Sequence, residues 1–120
     1  MTVTPAVYKI VTETVWQQAR EAGVFRGAGI DLNDGFIHLS TAAQARQTAA
    51  LYFAGQTGLM LVAADTAKLG EKLIFEPSRG GDLFPHLYGE LPLSAVIWEK
   101  PLLLDEAGND ALVPSRRRQV

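Results

Sequence analysis

The chain has only two histidines, and the first lies in a polar run between a turn and a helix start. Strand alternation over residues 35–41 puts His38 and Ser40 on one face with Phe36. Ser40 and Thr41 then precede a predicted helix, whose first backbone N–H groups suit an anion or a phosphate. His38 is therefore either a polar site residue or a hydrogen-bonded histidine at the edge of the core.

The second histidine lies in a long segment, residues 75–89, that combines aromatic, basic and acidic side chains. Long irregular segments in compact domains are usually functional or disordered, and this one is too apolar for disorder. One interpretation is a substrate loop, in which Arg79 grips an anion while His86 and Tyr88 contact the ligand. The alternative is a packed loop in which His86 and Tyr88 brace the backbone and Arg79 pairs with a neighbouring carboxylate.

Several classes of chemistry are excluded or unsupported. The absence of cysteine excludes disulfides, thiolate metal sites and a cysteine nucleophile. A metal held by His38, His86 and Glu76 has no support from spacing, so we predict none. Walker, dinucleotide-binding and serine-hydrolase motifs are missing.

The composition is that of one globular domain without an obvious membrane or nucleic-acid partner. The 120 residues are 48% hydrophobic and 20% charged, with a net charge of −2. No apolar run approaches the length of about 20 residues that crosses a bilayer, and no signal peptide is evident. We expect a cytoplasmic protein that binds a small molecule, with a domain at residues 6–104 and a solvated tail at 105–120 that carries three consecutive arginines.

The elements that must position these residues follow the order strand, helix, strand, helix and then further strands. We predict strands at 7–11, 36–40, 59–64, 73–76 and 94–104, helices beginning after Thr12 and after Ser40-Thr41, and few regular signals at 78–91. The run at 59–64 is apolar throughout, which predicts a strand buried on both faces. The order indicates an α+β domain.

Four motifs together resemble a bacterial family known as domain of unknown function 952 (DUF952). They are Tyr8-Lys9-Ile10 and the runs at residues 34–41, 84–89 and 91–93, and the resemblance covers about residues 6–104. It implies a fold similar to the ADP-ribosyltransferase superfamily, a small mixed sheet with two N-terminal helices. His38 matches a histidine of related phosphotransferases, whereas Lys9 stands where their first-strand histidine would be. Glu76 and Glu90 are both candidates for their late-strand glutamate.

The resemblance implies a cleft that binds a nucleotide or another phosphate-bearing ligand, with NAD as a candidate cofactor. The expected catalytic residues are His38 and His86, and the expected ligand-binding residues are Lys9, Ser40, Thr41, Arg79 and Tyr88. The chain would be an ADP-ribosyltransferase-like enzyme or an inactive relative. The alternative is a non-enzymatic ligand- or protein-binding module with the histidine motifs as scaffold. On the first interpretation, His38 and His86 meet in a single cleft.

Overall fold

The computed structural model describes residues 5–104, and the side chain of Arg79 is outside that description. The predicted tail at 105–120 therefore lies outside the described residues. The elements are β1 (Ala6–Thr12), α1 (Glu13–Ala22), β2 (Val24–Phe25), α2 (Ile30–Asp34), β3 (Ile37–His38), α3 (Ala42–Tyr52), β4 (Leu59–Asp65), α4 (Thr66–Leu69), β5 (Leu73–Pro77), β6 (Leu83–Leu87), β7 (Leu91–Pro92) and β8 (Val96–Leu102). The α+β prediction is confirmed. In the described part of the chain, no helix is long and apolar enough to cross a bilayer.

The largest sheet has the order β1-β4-β8, and β4 is its central strand. The apolar run predicted at 59–64 forms most of β4, and its buried position is confirmed: Val62 and Ala63 are fully buried. One face of this sheet packs against α1, where the ring of Trp16 is completely buried beside Phe25. On the opposite face, Ala49 of α3 packs with Leu59.

The second sheet, β3-β6-β5, holds both histidines and differs most from the prediction. Its central strand β6 lies inside the segment at 78–91 for which we predicted few regular elements. Pro85 and His86 lie in the middle of β6. A proline argues against a central strand, and a histidine interrupts the apolar run that indicates a buried strand, so the sequence does not predict β6. Pro85 fits because its carbonyl accepts a hydrogen bond from Leu39 N at 3.0 Å, and proline still supplies that acceptor.

The prediction of a mixed sheet is wrong, because every strand pair in the described residues is antiparallel. A parallel neighbour needs a crossover that returns the chain to the same end of the sheet. Here the helices that follow β1 return the chain so that β4 runs against it, and a short turn joins β5 directly to β6. Three small antiparallel sheets result, the third being the β2–β7 pair.

The helix boundaries follow side-chain capping. Thr12 caps α1 by accepting a hydrogen bond from Val15 N at 3.2 Å, and Thr41 caps α3 in a reciprocal capping box with Gln44. Both starts are confirmed. The sequence does not predict α2, because this helix is short and buries only Asp31, so it leaves no apolar stripe in the sequence.

Substituting Val62 tests the role of β4 as the central strand. Val62→Asp should abolish cooperative folding, because the carboxylate would lie in a fully buried apolar site without a partner. Val62→Ala should only lower the free energy of unfolding, by about 2 kcal/mol. Circular dichroism and thermal melts measure both effects. A cooperative melt of Val62→Asp near the wild-type temperature would show that β4 is peripheral.

Candidate functional site

The site begins where the two larger sheets meet and then separate. Tyr8 of β1 and Ser40, just after β3, exchange two backbone hydrogen bonds of 2.8 and 2.9 Å. If that ladder continued, His38 would pair with Ile10. Instead the backbone N–H of His38 donates to Asp31 Oδ1 at 3.0 Å, and its carbonyl accepts from Lys9 Nζ at 3.0 Å. The two strands diverge around this ion pair.

Lys9 and Asp31 form a buried ion pair. Lys9 lies on the same face of β1 as Val7 and Val11, which belong to the core, and its side chain is only 12% exposed. Its ammonium lies 2.9 Å from Asp31 Oδ2, and the Asp31 side chain is 1% exposed. Ala28 N also donates to Asp31 Oδ2, at 3.0 Å. The carboxylate therefore has several donors, which a buried charge requires.

The electrostatics of this pair follow from its burial. Burial alone would raise the pKa of Asp31, but the charge of Lys9 and the hydrogen bonds from His38 together hold that pKa below its usual value. Burial lowers the pKa of Lys9, against the opposing effect of Asp31. The short distances to both carboxylate oxygens indicate a charged pair, so Lys9 is a positioned cation that Asp31 already neutralises.

His38 is bound at both of its ring nitrogens. Nδ1 lies 2.6 Å from Asp31 Oδ1, and Nε2 lies 2.9 Å from Asp34 Oδ2. The contact to Asp31 is a hydrogen bond, and the contact to Asp34 is of ion-pair length. Asp31 and Asp34, at the two ends of α2, are thus the partners of the His38 ring.

His86 has a carboxylate at one ring nitrogen only. Glu76 Oε1 lies 2.7 Å from His86 Nδ1 and also accepts from the hydroxyl of Tyr88 at 2.7 Å. These hydrogen bonds, from His86 first and then from Tyr88, lower the pKa of Glu76. His86 Nε2 makes no hydrogen bond within the described part of the chain, although the side chain is only 6% exposed. The bond to Glu76 fixes the orientation of the imidazole ring.

The register of β3 and β6 brings the two histidines together. They are directly opposite each other, and the neighbouring hydrogen bond from Leu39 to Pro85 indicates that they form a narrow, non-hydrogen-bonded pair with close side chains. Their ring centroids are 5.4 Å apart, and the ring of Phe36 packs 4.5 Å from His38 and 4.2 Å from His86. The prediction that both histidines meet at one site is confirmed.

A cleft of about 550 Å³ opens at this point along the free edge of β1. Of the predicted site residues, Lys9, His38, Ser40 and His86 line it. The described lining does not include Thr41 or Tyr88: Thr41 N is bonded to Gln44 in the capping box, and the ring of Tyr88 packs 5.0 Å from Phe36. Nothing is described of the Arg79 side chain, but its neighbour Ser78 lines the cleft.

The structure also separates the two candidate glutamates. Glu76 orients His86, whereas Glu90 pairs with Arg26 at 2.8 Å on the surface, where both side chains are more than half exposed. Sequence analysis could not make this choice, since neither glutamate has a distinctive local motif. Among residues 5–104, no cluster of histidine, aspartate and glutamate has the arrangement needed to hold a metal ion.

Comparison with known proteins finds relatives of the whole domain. The profile of a family described as a protein of unknown function (DUF952) matches residues 10–99. A crystal structure of protein CC0527 from Caulobacter crescentus is 48% identical, covers 89% of this chain and 94% of its own, and superposes with a TM-score of 0.84. A solution NMR structure of CC0527 is also 48% identical, covers 89% of this chain and 92% of its own, and has a TM-score of 0.78. No curated protein sequence matches the chain.

Removing one member of the buried ion pair should destabilise the fold strongly. Lys9→Met leaves Asp31 without its cation, and Asp31→Asn leaves Lys9 without its anion, so each should cost about 3–5 kcal/mol. The exposed pair between Arg26 and Glu90 is a matched control, and Arg26→Met should cost less than about 1 kcal/mol. Urea unfolding measures all three. If substitutions at the two pairs lower the free energy of unfolding by equal amounts, the structural role of the Lys9–Asp31 pair is contradicted.

The same pair should make stability depend on acid pH. Because the pKa of Asp31 is lower in the folded state, its ionisation stabilises the fold above the unfolded value of about 4. That contribution should disappear as the pH falls through the lower folded-state value. Melting temperatures measured from about pH 7 to about pH 2 should fall less steeply in Asp31→Asn than in the wild type. Parallel curves for the two proteins would contradict this assignment.

Proposed function

We propose that this chain, which belongs to the DUF952 family of proteins of unknown function, binds a nucleotide or a similar phosphate-bearing ligand in the cleft and exchanges a proton with it through His86. The observation that carries the proposal is His86 itself. Its ring is buried, Glu76 holds Nδ1, and Nε2 has no partner among the described residues. A polar atom left in this way costs free energy unless a ligand or water satisfies it.

The Glu76–His86 pair supports general acid–base chemistry. When Nδ1 donates to the carboxylate, Nε2 of the neutral ring is an acceptor that can take a proton from a ligand hydroxyl. Glu76 then stabilises the imidazolium, and Tyr88 holds Glu76 in place. In this scheme His86 is the catalytic residue, while Glu76 and Tyr88 are positioning residues. The ring of His38 packs against the rings of His86 and Phe36 and so helps to hold His86 in position.

The phosphate of the ligand needs a cation that the ion pair does not supply, because Asp31 already neutralises Lys9. Arg79 follows Ser78, which lines the cleft, and Gly80 and Gly81 then adopt positive φ angles of 70° and 86°. Glycines allow backbone N–H groups to approach a phosphate closely, and a guanidinium binds it with two hydrogen bonds. We therefore assign the phosphate to the loop of Ser78 and Arg79, with Ser40 as a further hydroxyl in the cleft.

NAD is the first nucleotide to test, because the resemblance to ADP-ribosyltransferases suggests it. An enzyme of that type would transfer ADP-ribose, and His86 with Glu76 would then act on the hydroxyls of the bound ligand. An inactive relative would bind NAD without consuming it. Incubation with NAD, followed by chromatography of the nucleotides, separates these two possibilities.

A second candidate function is a non-enzymatic binding module. The observation that favours it is His38, whose two ring nitrogens both contact carboxylates and so are engaged within the fold. On this interpretation the histidines brace the junction of the sheets, and the cleft binds its ligand without chemistry. Ligand binding that survives substitution of His86 with unchanged affinity would favour this candidate.

Glu76→Gln and Glu90→Gln form a matched test of the acid–base site. Glu76→Gln removes the charge that orients His86 and should weaken nucleotide binding by about tenfold, since a hydrogen bond to a charged group contributes about 1.5–3 kcal/mol. Glu90→Gln should leave nucleotide affinity unchanged, because Glu90 pairs with Arg26 on the surface. Calorimetric titration with AMP, ADP and NAD measures affinity. Equal affinities in both variants would contradict the role of Glu76.

Arg79→Ala tests the phosphate end of the ligand. It should weaken binding of AMP by about 1.5–3 kcal/mol and leave binding of adenosine, which has no phosphate, unchanged. Thermal melts provide the control for folding. A lower melting temperature with unchanged AMP affinity would make Arg79 a structural residue, and no stabilisation of the wild type by any nucleotide would overturn the proposed ligand class.

A further inference from the structure

The edge of β1 that faces the cleft has a fixed hydrogen-bonding pattern. Backbone groups of Tyr8 bond to Ser40, on the side away from β4. Glu13 is an odd-numbered residue just after β1, and its backbone N–H donates to the carbonyl of Gly58 at 2.7 Å, on the β4 side. Because bonding direction alternates along an antiparallel strand, even-numbered residues of β1 direct their N–H and C=O groups away from β4. The backbone N–H and C=O of Ile10 therefore point towards the cleft.

Ile10 has no backbone partner on that side among the described residues. The position opposite it would be His38, but the N–H of His38 donates to Asp31 and its carbonyl accepts from Lys9. Ile10 is nevertheless only 8% exposed, and it lines the cleft. Buried backbone donors and acceptors are almost always paired, so a free N–H and C=O on one residue indicate a place for a ligand.

The length of this free edge limits what can bind there. An added peptide strand needs several consecutive edge residues. Tyr8, Ile10 and Thr12 are the even-numbered β1 residues that line the cleft. Tyr8 is already bonded to Ser40, and the carbonyl of Thr12 begins α1, so of these three Ile10 is the one that offers both a donor and an acceptor. A single residue matches a small planar group that carries a donor and an acceptor side by side, rather than a strand.

The lining of the cleft separates into a polar and an apolar end. Towards Thr12 it includes Val15, whose N–H donates to Thr12, and Phe53, which packs with Leu59 opposite Thr12. Towards Tyr8 and Ser40, it is formed by the charged and histidine residues. A ligand that fits both ends has a flat apolar ring at one end and hydroxyl or phosphate groups at the other.

We infer that the backbone N–H and C=O of Ile10 bind the base of the nucleotide, by hydrogen bonds to the amino group and the adjacent ring nitrogen of adenine. Adenine offers this donor and acceptor next to each other. The base then lies at the apolar end and the ribose extends towards His86. The inference rests on the proposed function, and it names the part of the ligand that gives specificity.

The test compares AMP with N6,N6-dimethyl-AMP, which keeps the ring and the phosphate but lacks the amino donor. The dimethylated ligand should bind the wild-type protein about tenfold more weakly, the effect of one lost hydrogen bond with its partner left buried. In NMR spectra of the ¹⁵N-labelled protein, AMP should shift the Ile10 amide and slow its hydrogen exchange. Nicotinamide mononucleotide, whose carboxamide also has an adjacent donor and acceptor, shows whether a different planar group takes this position.

A variant pair tests the protein side of the same contact. Ile10→Pro removes the N–H that points away from β4, which an edge strand tolerates, and Ile10→Ala removes the same packing while keeping the N–H. AMP should bind Ile10→Pro about tenfold more weakly than Ile10→Ala. If Ile10→Pro does not fold, the comparison of the two ligands still decides the question.

The outcomes separate this inference from the proposed function. Equal affinity for AMP and its dimethylated form, with an unshifted Ile10 amide, overturns the inference and leaves the nucleotide cleft intact. Binding of nicotinamide mononucleotide at Ile10 without a shift by AMP also overturns it. If the hydrogen exchange of the Ile10 amide slows as the protein concentration rises, a second copy of the chain binds this strand edge, and the inference is overturned. Failure of every nucleotide to bind overturns both proposals.

Discussion

The buried ion pair between Lys9 and Asp31 is the interaction on which the rest of the site depends. It occupies the position where a β-ladder between β1 and β3 would otherwise continue, and it satisfies both backbone groups of His38. Two charges in a largely apolar interior are stable only with short contacts and additional donors, which Ala28 and His38 supply. This constraint holds the two sheets apart and leaves a cleft with a free strand edge.

The second consequence of this junction is an asymmetry between the two histidines. They are opposite each other in one antiparallel pair, yet His38 has carboxylates at both nitrogens and His86 has one. The same ring of Phe36 packs on both imidazoles and limits their motion. Neighbouring groups with different partners can take different chemical roles, and this asymmetry is the reason why we propose His86, rather than His38, for proton exchange.

The function of the family has to be argued from such a site, because its fold alone does not specify an activity. The match over residues 10–99 and the likeness to CC0527 extend the architecture to relatives. The roles of His86 and of the edge of Ile10 both rest on the proposed nucleotide cleft, but they depend on separate contacts, so either can fail while the cleft stands. Together they assign one end of the cleft to hydroxyl and phosphate groups and the other to a planar ring.

The sequence by itself determined the features that arise from short-range patterns. Thr12 and Thr41 define helix starts through bonds to residues three positions away, and the apolar run in β4 indicates burial on both faces. Only the tertiary structure decided the partners: Asp31 is 22 positions from Lys9, Glu76 rather than Glu90 reaches His86, and Pro85 lies in a central strand. Such pairings depend on how the chain closes its loops and on which charges must be neutralised on burial, and neither leaves a local pattern in the sequence.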